Sequence, residues 1–178
     1  MHELILGGAR SGKSAYAEAQ AAESGLAVTL VVTAQAGDGE MAARIERHRA
    51  NRPPHWPVVE EPLHLAAALR EAAAADRFIV VDCLTLWLSN LLMEMEDAAD
   101  AALPGIFVRE RAALLDTLPA LPGRIALVSN EVGCGVVPMG RLSRVFVDEA
   151  GRLHQALARL CPRVTLVTAG LPLALKRP

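Results

Sequence analysis

The chain has 178 residues, of which 52% are hydrophobic and only 3% aromatic. That length suits one domain with a core of Leu, Val, Ile and Ala, and the hydrophobic content speaks against a disordered chain. A net charge of -2 lacks the basic excess of phosphate-backbone binders, so no nucleic-acid partner is expected.

In chain order, Leu4-Ile5-Leu6 is an apolar run ending in Gly7-Gly8, which predicts a buried parallel strand. Lys13 to Ser24 is rich in Ala and Glu and stops at Gly25, a good residue just past a helix end. Ala27 to Ala34 is β-branched and apolar, a second buried strand. A helix capped by Asp38 is expected from Glu40 to Arg49, ending before Pro53-Pro54. Val58 to Glu60 predicts a short strand and Leu63 to Ala75 a helix. Phe78 to Val81 is a strand that ends at Asp82. Leu84 to Met95 and Phe107 to Leu118 read as helices, with an acidic, mobile surface loop from Glu94 to Gly105 between them. Ile125 to Val128 is a strand. Leu142, Val145, Phe146, Leu153, Leu157 and Leu160 recur at helical spacing and predict a long amphipathic helix. Val164 to Thr168 is the final expected strand.

Strand and helix alternate throughout. The pattern predicts an α/β fold with a mostly parallel sheet and helices on both faces, in a single domain over residues 1–178. The three cysteines, Cys83, Cys134 and Cys161, are widely spaced and odd in number. They argue against a disulfide framework or a zinc site and are expected to be small core residues. The N-terminus has no basic segment of a signal peptide. The longest apolar stretch, 78–92, contains Asp82 and is too short to span a bilayer. A cytoplasmic protein without a membrane span is expected.

Gly7-Gly8-Ala9-Arg10-Ser11-Gly12-Lys13-Ser14 fits G-x-x-x-x-G-K-[ST]. Glycines let the backbone curl so that its N–H groups face phosphate oxygens. Lys13 brings a charge toward the β- and γ-phosphates, the Ser14 hydroxyl suits Mg²⁺, and the helix that follows aims its positive end at the same place. The preceding apolar strand and the following helix give the motif its required setting. These features predict a P-loop NTPase-like fold that binds a nucleoside triphosphate. Asp82, at the end of an apolar strand, fits the second metal carboxylate of such a site; its alternative use is to cap the next helix. Asn130 and Glu131 also follow a strand, on the edge where α/β proteins bind ligands, and read equally well as a turn. On the helix expected over 40–49, Met41, Ile45 and His48 share one face, with Arg44 a turn before His48.

Taken together, the segment 7–14, Glu40 to Ile45, His48-Arg49, Arg52-Pro53, Trp56, Asn130 to Gly133 and Val137-Pro138 resemble the bifunctional adenosylcobinamide kinase / adenosylcobinamide-phosphate guanylyltransferase family of cobalamin biosynthesis. The resemblance runs from the first strand to Gly170-Leu171-Pro172. It implies that the hydroxyl of the adenosylcobinamide side arm is phosphorylated with ATP or GTP. GMP is then passed from GTP to that phosphate through a guanylylated histidine, matching His48. It implies nucleotide contacts from the P-loop, from Thr33, Ala34 and Gln35, from Arg49, Ala50, Asn51 and Arg52, and from Glu60 and Asp82. Mg²⁺ would be held by Ser14 and Asp82. It also implies a homo-oligomer, of trimeric kind. Some members carry Glu at the position of Asp82, and the resemblance gives His154 no role.

Two other readings use part of the same pattern. A regulatory GTPase would carry an Asn-Lys-x-Asp segment, which the chain lacks; Asp148 to Gly151 matches D-x-x-G but falls inside the long amphipathic helix. A monofunctional small-molecule P-loop kinase would use the loop and Asp82 and leave His48 without work.

Overall fold

The computed structural model describes residues 1–35, 53–93, 95 and 102–178. Seven strands are present among them: β1 His2–Gly7, β2 Ala27–Val32, β3 Val58–Glu60, β4 Arg77–Asp82, β5 Arg124–Asn130, β6 Arg163–Thr168 and β7 Leu171–Lys176. The described α-helices are α1 Lys13–Glu23, α2 Leu65–Ala72, α3 Leu84–Leu92, α4 Gly105–Thr117 and α5 Arg141–Leu160, with a 3₁₀ turn at Leu118–Ala120. All strands join one sheet in the order β3-β2-β4-β5-β1-β6-β7. Every pairing is parallel except that of β6 with β7.

The apolar runs become inner strands because both faces of the sheet are covered. On one face Leu4, Leu6, Val31, Ile79, Val81, Ile125, Leu127 and Val164 pack with residues of α2, α3, α4 and α5, including Leu65, Trp87, Phe107 and Leu153. Trp87 is fully buried there, and its indole N–H is satisfied by the Leu63 carbonyl at 2.8 Å. On the other face Ile5, Leu30, Val80, Ala126 and Val128 pack with Ala17 and Ala21 of α1 and with Trp56. Alanines on α1 let that helix lie close to the sheet. Gly25 has φ 71°, as a residue just past a helix end should.

The expected elements appear with small shifts. The helix read from Phe107 starts at Gly105, and the one read to Met95 stops at Leu92. Val164 to Thr168 is not the final strand: β7 follows it. Ala169 and Gly170, both at positive φ (53° and 79°), make the two-residue turn that reverses the chain. β7 is exposed along its whole length, so it lacks the buried run that marked the others, and Pro172 sits where only an edge strand accepts it. Cys83 and Cys161 are buried as expected, but Cys134 is exposed, because it lies in the irregular segment between β5 and α5. The helix expected over 40–49 and most of the loop expected over 94–105 lie outside the described residues.

Parallel pairing brings the ends of β1, β2, β3, β4, β5 and β6 to one edge. β5 stands between β1 and β4, with Gly7 opposite Asn130 and Asp82 opposite Val128. The loop after β1 and the carboxylate ending β4 therefore flank the end of β5.

Candidate active site

The loop 7–14 leaves β1 and turns into α1. Gly12 caps the helix at φ 95°, a conformation that side chains resist, and Arg10 also has positive φ, 56°. A Cβ on Gly12 would come within 3.1 Å of Gly170 Cα, and one on Gly7 within 2.5 Å of the Val167 carbonyl. Ser11 N–H donates to the Gly8 carbonyl at 3.2 Å, and Gly170 N–H donates to the Ser11 carbonyl at 2.8 Å. The β6–β7 turn thus braces the loop from one side. On the other, Glu131 N–H donates to the Gly7 carbonyl at 3.0 Å.

Gly12 has no side chain with which to cap α1, and the first helical bond runs from Tyr16 N–H to the Gly12 carbonyl at 2.9 Å. The amides of Lys13, Ser14 and Ala15 precede that bond and form the positive end of the helix, the arrangement that receives anions. Lys13 is 8% exposed, and its Nζ donates across the loop to the Gly8 carbonyl at 3.1 Å. Burial lowers its pKa, opposed by the nearby Cys83 and Asp82. A buried ammonium with one carbonyl partner is well placed to gain from phosphate oxygens. The Ser11 hydroxyl is buried without a hydrogen-bond partner. Ala9 and Arg10 are exposed at the loop crest, as is Gly8, and Ser14 is half-buried.

Across β5, Asp82 ends β4. The backbone there is fixed by Thr33, which is fully buried: its hydroxyl donates to the Cys83 carbonyl at 2.7 Å and accepts Cys83 N–H at 3.1 Å. Thr33 N–H donates to the Asp82 carbonyl at 3.3 Å, and Asn90 Nδ2 donates to the Thr33 carbonyl at 2.8 Å. The Thr33 side chain is therefore committed to clamping β2 to β4. Burial, then Asp82, pushes the Cys83 thiol up, so it stays protonated and is no nucleophile. Gln35 and Glu60 are exposed and Ala34 half-buried at the same edge. The Ser14 hydroxyl and Asp82 carboxylate are hard oxygen donors of the kind that share Mg²⁺ with nucleotide phosphates. Among the described residues no three His, Cys, Asp or Glu side chains cluster as an all-protein metal cage.

His48, Arg44, Arg49, Ala50, Asn51 and Arg52 lie outside the described residues. Asn130 and Glu131 do sit at the site's edge, held by Thr85, Ser129 and His154, to which sequence reasoning gave no role because they are far apart in the chain. Gly170 was missed as a brace of the loop; an Ala-Gly pair after an apolar strand was the signal for it. Asp148 to Gly151 lies within α5, as expected, which leaves it no part in a switch loop.

Residues 3–175 match the family described as cobinamide kinase / cobinamide phosphate guanyltransferase. The chain is 62% identical to the bifunctional adenosylcobalamin biosynthesis protein CobP of Pseudomonas aeruginosa, over 99% of this chain and 98% of that one. It is 38% identical to the bifunctional adenosylcobalamin biosynthesis protein CobU of Escherichia coli, over 97% and 98%. In fold alone it is similar to a solved ATPase domain, with a TM-score of 0.50 at 15% identity, over 93% of this chain and 68% of that one.

Proposed function

This chain belongs to the cobinamide kinase / cobinamide phosphate guanyltransferase family, and from that premise we propose that one P-loop site carries two successive transfers to adenosylcobinamide. In the first, the hydroxyl of the corrinoid's side arm attacks the γ-phosphorus of ATP or GTP, forming a phosphate ester and releasing the nucleoside diphosphate. In the second, the neutral imidazole of His48 attacks the α-phosphorus of GTP and pyrophosphate leaves. An oxygen of the corrinoid phosphate then displaces the imidazole, giving adenosylcobinamide-GDP.

The observation that carries this reading is the strand–loop–helix at Gly7 to Ser14, with Lys13 buried across the loop, in a chain matching the family over nearly its full length. Lys13 and the amides at the start of α1 hold the phosphates and meet charge as it develops on them. Ser14 and Asp82 would hold Mg²⁺, which neutralises phosphate charge when bound. Ala34, Gln35, Glu60 and the segment Arg49 to Arg52 line the nucleotide, while Thr33 serves it through the β2–β4 clamp. An imidazole is suited to the second reaction because its unperturbed pKa of about 6.5 leaves a lone pair at neutral pH. Its phosphoramidate splits one hard displacement into two easier ones.

The protein works in the cytoplasm, where both nucleotides are at hand. Among the described residues no helix is long and apolar enough to cross a membrane. It is a homo-oligomer, as a trimer, and the exposed leucines of the edge strand, Leu171, Leu173 and Leu175, are surface that a partner copy would cover.

The test is incubation with Mg²⁺ and GTP labelled on the α-phosphate. The wild-type protein should retain label and gain the mass of one GMP. His48→Ala should retain none while still phosphorylating adenosylcobinamide. Label retained by His48→Ala would move the nucleophile elsewhere, with His55 next in line; no label on active wild type would leave a simple kinase.

A further inference from the structure

Beneath the site runs a string of buried polar side chains that the two transfers above leave without work. Thr85, in the first turn of α3, accepts Asn130 N–H at 2.7 Å. Its hydroxyl oxygen lies 3.4 Å from that of Ser129, and Ser129 Oγ lies 2.8 Å from Nε2 of His154 on α5. Nδ1 of His154 faces the Glu131 carboxylate at 3.8 Å. Glu131 in turn accepts Gly133 N–H at 2.7 Å, and its own N–H reaches the Gly7 carbonyl of the phosphate loop. Thr85, Ser129 and His154 are 7%, 1% and 7% exposed, so water does little to satisfy them.

Partner chemistry gives the string a direction. The Thr85 oxygen takes Asn130 N–H, and its hydroxyl lies between Ser129 and the Cys83 thiol. The carboxylate of Glu131 on the Nδ1 side favours the tautomer with its proton there, so Nε2 of His154 accepts from the Ser129 hydroxyl. The imidazole keeps its proton on Nδ1, toward the Glu131 carboxylate. Burial lowers the pKa of His154, with Glu131 opposing, which agrees with a neutral ring that accepts at Nε2. The buried carboxylate on α5 itself, Glu149, is paired with Arg152.

The ends of the string are informative. One is on α3, which begins just after Asp82; the other is on Gly7. We propose that His154 is a positioning residue for phosphoryl transfer: by joining Ser129 to Glu131 it holds the end of β5 against Gly7 and so sets the phosphate loop relative to Asp82. The proposal rests on reading Gly7 to Ser14 as the nucleotide site. A histidine that merely filled space would need no buried hydrogen bond at Nε2 and no carboxylate facing Nδ1.

The experiment is steady-state phosphorylation of adenosylcobinamide by ATP, with a melting temperature for each protein. His154→Leu should lower kcat by on the order of tenfold or more, while the KM for ATP moves less than about threefold. His154→Gln, whose amide oxygen can take the Ser129 proton, should recover most of that loss. His154→Leu combined with Glu131→Gln should be no slower than His154→Leu alone, because both cut one string. Ser129→Ala cuts it without opening a large cavity and should reproduce the fall in kcat. Wild-type kcat in Ser129→Ala overturns the proposal even where His154→Leu does not fold. So does a glutamine variant as slow as the leucine one, or losses that add. Wild-type protein unable to phosphorylate the corrinoid would instead remove the kinase reading, whereas active wild type with indifferent variants removes only the role of His154.

Discussion

The two sides of the phosphate site are built by different means. The loop 7–14 is a local device: consecutive residues set the positive φ of Gly12, place the amides at the start of α1 and fold Lys13 back to the Gly8 carbonyl at 3.1 Å. The Asn130–Glu131 side is a distributed device, in which Thr85, Ser129 and His154 come from α3, β5 and α5 to hold two residues at a strand end. A local device is specified by backbone geometry, so its sequence is constrained position by position. A distributed one is specified by the fold, and any one of its members looks ordinary in the chain.

The largest effect is expected at the local device. Lys13→Ala removes a buried cation aimed into the loop. Loss of such a group costs a few kcal/mol of transition-state stabilisation, on the order of a hundredfold or more in rate. If one loop serves both transfers, phosphorylation and GMP transfer fall together; near-normal GMP transfer, measured with adenosylcobinamide phosphate supplied, would show two separate sites.

Gly7→Ala comes next. Its Cβ would lie 2.4 Å from Ser11 Oγ and 2.5 Å from the Val167 carbonyl. The serine can turn away, but the carbonyl belongs to β6, which is paired with β1 at this point. Overpacking of this kind costs about 1–3 kcal/mol, and here the strain falls on the loop itself. Both a lower melting temperature and a weaker apparent ATP affinity are expected. A variant with wild-type values of both would mean that the loop is looser than its contacts indicate.

The same contrast explains what could be read from the chain. The phosphate loop was legible because its glycines, lysine and serine are contiguous and lie between an apolar strand and a helix. The parallel sheet was legible because β1, β4 and β5 are buried on both faces and therefore continuous apolar runs. β7 escaped because an exposed edge strand needs no such run, and Pro172 spoke against it. Thr33 was read as a nucleotide contact from resemblance, yet its hydroxyl is taken up by Cys83, fifty residues away in the chain. His154 was given no role because its partners, Ser129 and Glu131, are set by the packing of α5 on the sheet, and spacing cannot reveal them.

Asp82→Asn tests the boundary between the two devices with a smaller effect. The substitution keeps shape and backbone, and the Thr33 clamp that fixes this strand end is made to the main chain. Folding should be little changed. Turnover should fall by about tenfold or more and require more Mg²⁺, as expected when one hard oxygen ligand is lost. Unchanged activity at unchanged Mg²⁺ dependence would return Asp82 to a structural role at the start of α3.

The smallest effect is expected at Lys176, at the far end of the hairpin that braces the loop. Its Nζ donates to the carbonyls of Ala158 and Cys161, each at 2.8 Å, at the C-terminal end of α5. Those carbonyls have no partner within the helix, and a cation there also meets the negative end of the helix dipole. Lys176→Met keeps most of the side chain's length and removes only the charge and its donors. The cost should be about 0.5–1 kcal/mol at this exposed position, a fall of roughly 1–4 °C in melting temperature for a chain of this size. The kinetics should not change, since the loop is held at the other end of the hairpin, where Gly170 N–H meets the Ser11 carbonyl at 2.8 Å. A raised KM for ATP in Lys176→Met, beyond about threefold, would mean that the loop feels the whole hairpin. The local device would then depend on a distant anchor much as the Asn130–Glu131 side does.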